Sequence, residues 1–511
     1  AAAVEPYSES EAGIIRNGVF AALPDAFGIS LGYTNDPTTF KNRSTPAPST
    51  RSMACKAQTS GRIYLRSGPR TELHEIIRQE YARHQDRAVP RNTLRQAVQG
   101  MLDTFAYQNF DAAAGEYTNR CCRPPRETEM RPWRLVTEIG WTGGGVLAYP
   151  LVLCRDALGA DAEAPLAAAM SGEQLFDRIA DAYNENSGLL NDLMAPNAAG
   201  SQVNGWWTGY GLVKDCHCAY TVGSAVHYLT KTMDYLHQNG KPCPAKWMDA
   251  AQKVLHTVMD LQRADGAFGY TYSTQERKVL DWSGFAGCWF APALVYLYRL
   301  TGEERCLHSA EKALDYYHTF VKDLNCYGTP MDTWKAVDEE GNLAFMRGSR
   351  LLYEQTGKAE FLQYMKDSAG YEFLWRYGYK TYPEHTPLNQ GWSACGGAVT
   401  SVSNPHIHPM GVIIDTDLRY LARVTGDGYY ASRAADSAAW MLQCLELYPA
   451  ATGYGRYGIL SERWCPSDGL DVERFSDGRP FSSWFSHNLW ASACVLEAAC
   501  ELLLEIEHKK G

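Results

Sequence analysis

The chain has 511 residues, of which 45% are hydrophobic and 21% are charged. This composition is typical of folded protein, and the length predicts one large barrel or two or three average domains. The 48 Lys and Arg residues against 58 Asp and Glu residues give a net charge of -10, and the chain carries no basic stripe. These features argue against nucleic acid as a partner.

No window of the sequence approaches the run of about 18 apolar residues that a membrane span requires, so we expect no membrane partner. The 15 cysteines are scattered through a large chain and do not resemble a disulfide scaffold. We therefore expect a reducing compartment and a cytoplasmic protein. A periplasmic location stays open, because a signal peptide removed before Ala1 would leave no trace. Association into a homo-oligomer stays open as well.

The first 90 residues differ in pattern from the rest of the chain. A cluster of Pro, Ser and Thr lies at 44–52, a strand-like run at 62–67, and a connecting helix is predicted at 72–83. We expect residues 1–90 to form a small irregular, β-containing region and residues 91–511 to form the main domain.

Two kinds of helix alternate after residue 91. One set has a polar face and an apolar face, at 92–107, 171–183, 245–261, 304–321, 359–375 and 429–445. The other set is apolar on nearly every side, at 137–158, 216–237, 283–301, 342–356, 406–424 and 483–504. A helix that is apolar all round must be enclosed by protein, whereas a helix with one apolar stripe lies outside. The alternation predicts an all-α (α/α)6 toroid, with six inner helices inside six outer helices.

The connections indicate which end of this barrel is functional. Three links from an inner to an outer helix are short and share the pair Thr-Gly, as at Gly302, Gly357 and Gly426, where glycine can close the last turn in the left-handed conformation. Links from an outer to an inner helix are long, which inside a compact domain indicates function. All of them lead to inner-helix N-termini, so we expect them to meet at one mouth.

The long connections carry Trp residues beside carboxylates and histidines. Indole and phenol rings stack on the apolar faces of ring-shaped ligands, although large cores use Trp as well. Because the aromatic residues are concentrated in these connections, we favour a ligand pocket. Its predicted lining is Trp141, Trp206, Trp207, Trp282, Asp332, Arg347, Trp392, His406, His408, Trp484 and His487.

The hairpins, the Thr-Gly turns and the aromatic connections resemble the six-hairpin glycosidase superfamily over residues 92–507. The motifs GWSACGG at 391–397 and SVSNPHIHP at 401–409 are similar to uronic-acid-active members from gut bacteria, specifically the β-glucuronidases of glycoside hydrolase family 154. The resemblance implies an (α/α)6 barrel that acts on carbohydrate. We therefore expect an exo-acting glycoside hydrolase that removes a uronic acid during polysaccharide degradation, without a cofactor.

Hydrolysis of a glycoside needs two carboxyl groups across the scissile bond. Glu138 lies at the start of the first inner helix beside several glycines, and Asp281 lies before the third inner helix next to Trp282. We expect these two residues to form the pair, with Asp215 and Asp332 as further candidates. For each acid the alternative role is a helix cap, and the acid and base roles stay unassigned.

Other residues allow rival interpretations. Arg347 on an apolar helix would bind a uronate carboxylate or pair with a protein acid such as Glu354. His406 and His408 are two residues apart, a poor chelating arrangement on a helix, and we expect no metal. A polysaccharide lyase or sugar epimerase would instead use His406, His408 or His487 for proton transfer. A binding protein without turnover is the third alternative.

Overall fold

The computed structural model of the chain describes residues 2–10, 13–15, 18–23, 26–31, 57–65, 67–84, 87–121, 131–134, 138–193, 204–208, 211–328, 335–380, 393–401, 404–445, 458, 460, 462–464, 483–484 and 486–508. Within these ranges the α-helices are α1 (Glu72–Tyr81), α2 (Leu94–Thr104), α3 (Gly145–Leu158), α4 (Glu163–Ala168), α5 (Gly172–Asp181), α6 (Ala219–Gln238), α7 (Ala245–Asp260), α8 (Phe290–Thr301), α9 (Glu304–Lys322), α10 (Glu340–Thr356), α11 (Ala359–Trp375), α12 (Asp415–Thr425), α13 (Gly428–Cys444) and α14 (Leu489–His508). No described helix is long and apolar enough to cross a membrane.

Short strands accompany the helices. They are β1 (Ala2–Ser10), β2 (Gly13–Ile15), β3 (Gly18–Leu23), β4 (Ala26–Leu31), β5 (Ala57–Leu65), β6 (Phe110–Asp111), β7 (Glu116–Tyr117), β8 (Asn119–Cys121), β9 (Arg131–Arg134), β10 (Tyr183–Asn184), β11 (Leu189–Leu190), β12 (Gly205–Thr208), β13 (Gly211–Lys214), β14 (Cys216–Cys218), β15 (Thr271–Ser273), β16 (Val279–Asp281), β17 (Ala398–Ser401), β18 (Asn404–His408), β19 (Arg463–Trp464), β20 (Ser483–Trp484) and β21 (Ser486–His487). The first five strands form the antiparallel sheet β2-β1-β5 and the hairpin β3-β4. The division into two domains at residue 90 stays a prediction.

The helices close into a double ring, as the alternating pattern predicts. Among the described elements the inner ring runs α3, α6, α8, α10, α12 and α14, and α14 packs back against α3. The outer helices α2, α5, α7, α9, α11 and α13 each pack on inner neighbours. The (α/α)6 toroid is confirmed, and α1 packs outside it against α11.

The Thr-Gly turns close the short links at one end of the barrel. Gly302, Gly357 and Gly426 all have left-handed φ angles, between 65° and 73°. The preceding threonine satisfies two backbone groups at each turn: Thr301 Oγ1 donates to Leu297 O over 2.8 Å and accepts from Glu303 N over 3.2 Å. Thr356 and Thr425 repeat this arrangement. Each hairpin therefore turns within about three residues.

The predicted starts of five inner helices are wrong. Helices α3, α6, α8, α12 and α14 begin three to nine residues later than the pattern suggests. The segments before them are irregular backbone, the strands β14, β18, β20 and β21, and the 3-10 helices Ala286–Trp289 and Met410–Ile414. A short apolar run is equally compatible with buried helix and buried strand, so periodicity alone places these starts too early.

Backbone pairing joins the six long connections into a circle. Glu138 bridges Leu193, β14 pairs with β15, Phe285 N donates to Tyr327 O over 2.7 Å, and Asp338 bridges Ser401. The strand pair β18-β19 and the strand pair β21-β8 complete the circle. Each pairing links the connection before one inner helix to the connection before the next. All six connections therefore meet at one end of the barrel, which we call the mouth.

Buried charges fill the interior below the mouth. We define the axial ion network as a set to which every inner helix contributes: Tyr149, Tyr228, Lys231, Tyr296, Arg347, Thr416, Asp417, Glu497 and Glu501. Lys231 Nζ lies 2.5 Å from Glu497 Oε1 and 2.7 Å from Glu501 Oε1. Because α3 separates α6 from α14 in the ring, these ion pairs cross the interior.

The charged members of the network shift one another's pKa values. Although burial opposes the charge on Lys231, Glu497 and Glu501 hold the pKa of its ammonium above the ordinary value. Burial raises the pKa of Glu497. Although burial also opposes ionisation of Glu501, Lys231 and Arg347 lower its pKa to about 2. The charged forms are stable here only because each has a partner.

Replacing Lys231 by Met removes the ammonium and leaves the carboxylates of Glu497 and Glu501 buried without it. We expect the free energy of unfolding to fall by about 3–5 kcal/mol, the cost of breaking a buried ion pair. The matched control is Lys246→Met, since the Lys246 side chain is 43% exposed in its ion pairs. That change should cost less than about 1 kcal/mol. Urea denaturation of both variants tests this, and equal losses would contradict it.

Candidate functional site

Three connections build an aromatic wall at the mouth. The rings of Trp141 and Trp490 stack with centroids 5.4 Å apart, and His408 stacks on the other side with its centroid 5.9 Å from that of Trp490. These residues precede or begin α3, α14 and α12. Among the described residues, the indole Nε1 atoms of Trp141 and Trp490 have no hydrogen-bond partner. The wall therefore consists of three flat rings packed together, of which Trp141 is the partly exposed member.

A carboxylate reaches across the interior at the same end. Glu340 is the first residue of α10, and its carboxylate lies beside the Tyr220 hydroxyl on α6. In the ring, α8 lies between these two helices, so the two side chains approach each other inside the barrel. Burial, together with the Glu340 carboxylate, raises the pKa of Tyr220 well above its ordinary value. Tyr220 therefore stays protonated. Its hydroxyl donates to Met410 Sδ over 4.0 Å, and the ring of Trp289 packs against it with centroids 5.7 Å apart.

Glu138 lies on the opposite side of the ring. It precedes α3, and α3 is three positions from α10 in the ring. Glu138 itself is only 1% exposed. Its amide donates to Thr142 O over 3.1 Å, and the next amide, that of Ile139, donates to Asp192 O over 2.9 Å. A Cβ at Gly140 would overlap Ser224 and the backbone of α6, so only glycine permits this close approach. The segment is therefore fixed tightly against α6.

The neighbour of Glu340 points the other way. Glu339 contacts Glu372 on the outer helix α11, and Arg376 donates to Glu372 and, over 2.8 Å, to Asp415. Burial and the adjacent Glu372 carboxylate raise the pKa of Glu339 well above its ordinary value. Burial also raises the pKa of Asp415 to about 6. Glu339 thus keeps its proton between the two helical layers, whereas Glu340 faces the interior.

The proton on Glu339 predicts how stability depends on pH. The folded protein holds this proton above pH 4.5, the ordinary value, whereas the unfolded chain releases it, so the contribution of Glu339 to stability falls as the pH rises. Glu339→Gln removes this dependence. The variant should become more stable relative to the wild type as the pH rises above 4.5, by up to about 1.4 kcal/mol per pH unit. Urea denaturation across that range measures the difference, and a constant difference would contradict the assignment.

Two predicted catalytic acids lie in other surroundings. Lys335 Nζ lies 2.6 Å from Asp281 Oδ2, and although burial opposes ionisation, this ion pair lowers the pKa of Asp281. Asp281 also accepts from Ser283 N over 2.8 Å. Asp215 accepts from the Asn204 amide over 3.0 Å and has a left-handed φ of 59°. Asp281 is thus paired with Lys335 and Asp215 is bonded to Asn204, and the catalytic role of both stays a prediction.

Three predicted binding residues also have defined surroundings. Arg347 Nε lies 2.8 Å from Asp417 Oδ2, so its protein partner is Asp417 and not Glu354, which pairs with Arg299 and Arg350. Trp206 is buried on β12. The Arg263 guanidinium lies over the Trp282 ring, with its Cζ 5.2 Å from the ring centroid. None of these contacts brings the residue into the wall formed by Trp141, Trp490 and His408.

Several candidates lie outside the described residues. Asp332 and Trp392 are in segments that the structure does not describe, and the same holds for the side chains of Trp207, His406, Trp484 and His487. Their roles stay predictions. Within the described ranges, no group of three or more His, Cys, Asp or Glu side chains is arranged to hold a metal ion.

Sequence reasoning missed Glu340 and Tyr220. The predicted start of the fourth inner helix, residue 342, left Glu340 in a connection, and Tyr220 lay inside an apolar helix pattern. The run Asp338, Glu339 and Glu340 just before that helix was the available signal. Three consecutive acids at the entrance of a buried helix need different partners, and one of them faces the interior.

Comparison with known proteins gives the fold. No protein-family profile matches the chain, and no curated protein matches it in sequence. Among solved structures, a family 76 glycoside hydrolase from a bovine Bacteroides thetaiotaomicron strain matches with a TM-score of 0.52 at 11% identity, covering 88% of this chain and 81% of that one. A cellobiose 2-epimerase from Spirochaeta thermophila matches with 0.51 at 12% identity, covering 86% and 99%. A D-mannose isomerase matches with 0.50 at 11% identity, covering 81% and 97%.

These structures share the α/α toroid with this chain. At such low identity the likeness concerns the fold alone and does not transfer an activity. The proteins named carry out different reactions on this fold, among them glycoside hydrolysis and sugar epimerisation.

Proposed function

We propose that the protein is an exo-acting glycoside hydrolase that binds a terminal sugar at the mouth. The observation that carries this proposal is the Glu340 carboxylate, which lies beside Tyr220 at the start of α10, at the same end of the barrel as Glu138. Glycoside hydrolysis requires one carboxyl group as acid and another as base or nucleophile on opposite sides of the sugar. Glu138 precedes α3 and Glu340 begins α10, and these two helices are opposite each other in the ring.

The aromatic wall supports a sugar as the ligand. Trp141 is partly exposed and offers a flat face for the axial C–H groups of a pyranose, while Trp490 is 3% exposed and packs against it. His408 adds an imidazole beside the same face. Neutral imidazole both donates and accepts, which suits a ring of hydroxyl groups.

The axial ion network supports exo action. Its ion pairs cross the interior beneath the mouth, from α6 to α14, and fill the space there with paired side chains. A polymer therefore cannot pass through the barrel. In our proposal its terminal residue binds at the mouth and is released from the same side.

A uronic acid as the terminal sugar, as in the β-glucuronidases of family 154, remains part of the proposal. The carboxylate of such a sugar needs cationic or multiple hydrogen-bond donors. Arg347 does not supply them, since Asp417 and the Ile413 carbonyl occupy its guanidinium. Donors for a uronate would come from the connections around the mouth.

A sugar epimerase or isomerase is the second candidate, and His408 favours it. Its imidazole is stacked at the mouth beside Trp490, where it could remove a proton next to a carbonyl. In that reaction the substrate is a free reducing sugar and no water is consumed. A lyase would use the same proton transfer on a uronate polymer.

A panel of substrates separates these reactions. The purified chain should release nitrophenol from at least one 4-nitrophenyl glycoside among the glucosides, mannosides and glucuronides of both anomers. Conversion of cellobiose or mannose without nitrophenol release would support epimerisation instead. Formation of an unsaturated product that absorbs near 235 nm from a uronate polymer would support a lyase. No turnover of any of these substrates would contradict the proposal.

Replacing Glu340 by Gln tests its catalytic role. The amide keeps the size of the side chain but cannot transfer a proton or attack, so kcat should fall by about a hundredfold or more. The matched control is Glu339→Gln, since Glu339 faces the outer layer, and its kcat should stay within about threefold of wild type. The panel substrate with the highest rate serves for both variants. Equal kcat values in the two variants would remove Glu340 from the mechanism.

A further inference from the structure

A second cluster of titratable side chains lies behind the mouth. His217 on β14 contacts Asp192 through Nδ1, 2.8 Å from Oδ2, and contacts Ser187 through Nε2, 3.0 Å from Oγ. All three residues are at most 2% exposed. Their distances match those of a serine hydrolase triad. The hydrogen bonds of this cluster lead to the backbone next to Glu138, which indicates positioning and not acyl transfer.

The cluster is connected instead to the Glu138 segment. Asp192 Oδ1 accepts from the Cys218 amide over 3.1 Å, directly before α6 begins. The backbone oxygen of the same residue accepts from Ile139 N over 2.9 Å, and the following residue, Leu193, bridges Glu138. Asp192 is thus bonded to β14 by its side chain and to the Glu138 segment by its backbone.

We propose that Asp192, His217 and Ser187 form a positioning relay that holds Glu138 at the mouth. His217 fixes the Asp192 carboxylate, Asp192 fixes the backbone next to Glu138, and Ser187 orients the imidazole from the turn between β10 and β11. These are positioning residues, because none of them contacts the space at the mouth. The catalytic role of Glu138 in this inference rests on the proposed function. The chain of hydrogen bonds from His217 through Asp192 to the backbone next to Glu138 does not depend on that function.

Two substitutions of His217 test its hydrogen bonds to Asp192 and to Ser187 separately. In His217→Asn the amide nitrogen takes the place of Nδ1 and can still donate to Asp192. In His217→Gln the amide takes the place of Nε2, so the contact with Ser187 is kept and the contact with Asp192 is lost. The relay predicts that the Asn variant is close to wild type and that the Gln variant is impaired.

Amide hydrogen exchange of the full chain tests the mechanical link without any substrate. Peptides that cover residues 138–145 should exchange about tenfold faster in His217→Gln and within about threefold of wild type in His217→Asn. Peptides from α9, on the far side of the ring, serve as the internal control and should be unchanged. Equal exchange of residues 138–145 in both variants overturns the relay.

Kinetics on the best panel substrate test the functional part. Since a displacement of about 1 Å at a catalytic group costs on the order of a hundredfold in rate, His217→Gln should lower kcat by about ten- to a hundredfold with KM within about threefold. His217→Asn should restore kcat to within about fivefold of wild type. A lower melting temperature with unchanged kcat would show a purely structural role and overturn the proposal.

Further variants keep the test decisive. Ser187→Ala should affect both readouts less than His217→Gln does, because the imidazole loses one orienting contact while the Asp192 contact persists. If His217→Gln does not fold, Asp192→Ala removes the same anchor and carries the same two predictions. If no panel substrate is turned over, the proposed function fails, whereas the exchange experiment still decides the relay.

Discussion

The axial ion network is the constraint on which the rest of the fold depends. Lys231, Arg347, Asp417, Glu497 and Glu501 lie on four inner helices, and each charge is stable only with its partners in place. Aliphatic side chains alone would tolerate rotation or sliding of the inner helices. Directional ion pairs across the interior fix the rotation of each helix, and with it the residue that each N-terminus presents at the mouth.

That fixed rotation explains how neighbouring acids acquire different environments. Glu339 and Glu340 are consecutive, yet one lies against Glu372 between the layers and the other lies beside the Tyr220 hydroxyl inside the barrel. Consecutive residues at a helix start point about 100° apart. The register of α10, anchored by Arg347 two turns further on, decides which acid faces the mouth.

The fold could be predicted from the sequence because its signals are local and repeated. Helices apolar on all sides alternate with amphipathic ones, and Thr301-Gly302 and its two counterparts mark the hairpins within a few residues. The site could be predicted only in part. Trp141 and His408 follow from their place in the long connections, whereas the contact of Glu340 with Tyr220 depends on residues 120 positions apart. The partner of Arg347 is likewise 70 positions away, and no local pattern specifies it.

The two ends of the barrel differ in how freely they can change over evolution. At the Thr-Gly end, a single hydroxyl serves both the outgoing carbonyl and the incoming amide, so an added residue would break both bonds at once. At the other end, backbone pairs tie each connection to its neighbours only at certain points, and the stretches between those points can lengthen. Added residues are therefore better tolerated at the mouth than at the opposite end, where they would disrupt the turns that join inner and outer helices.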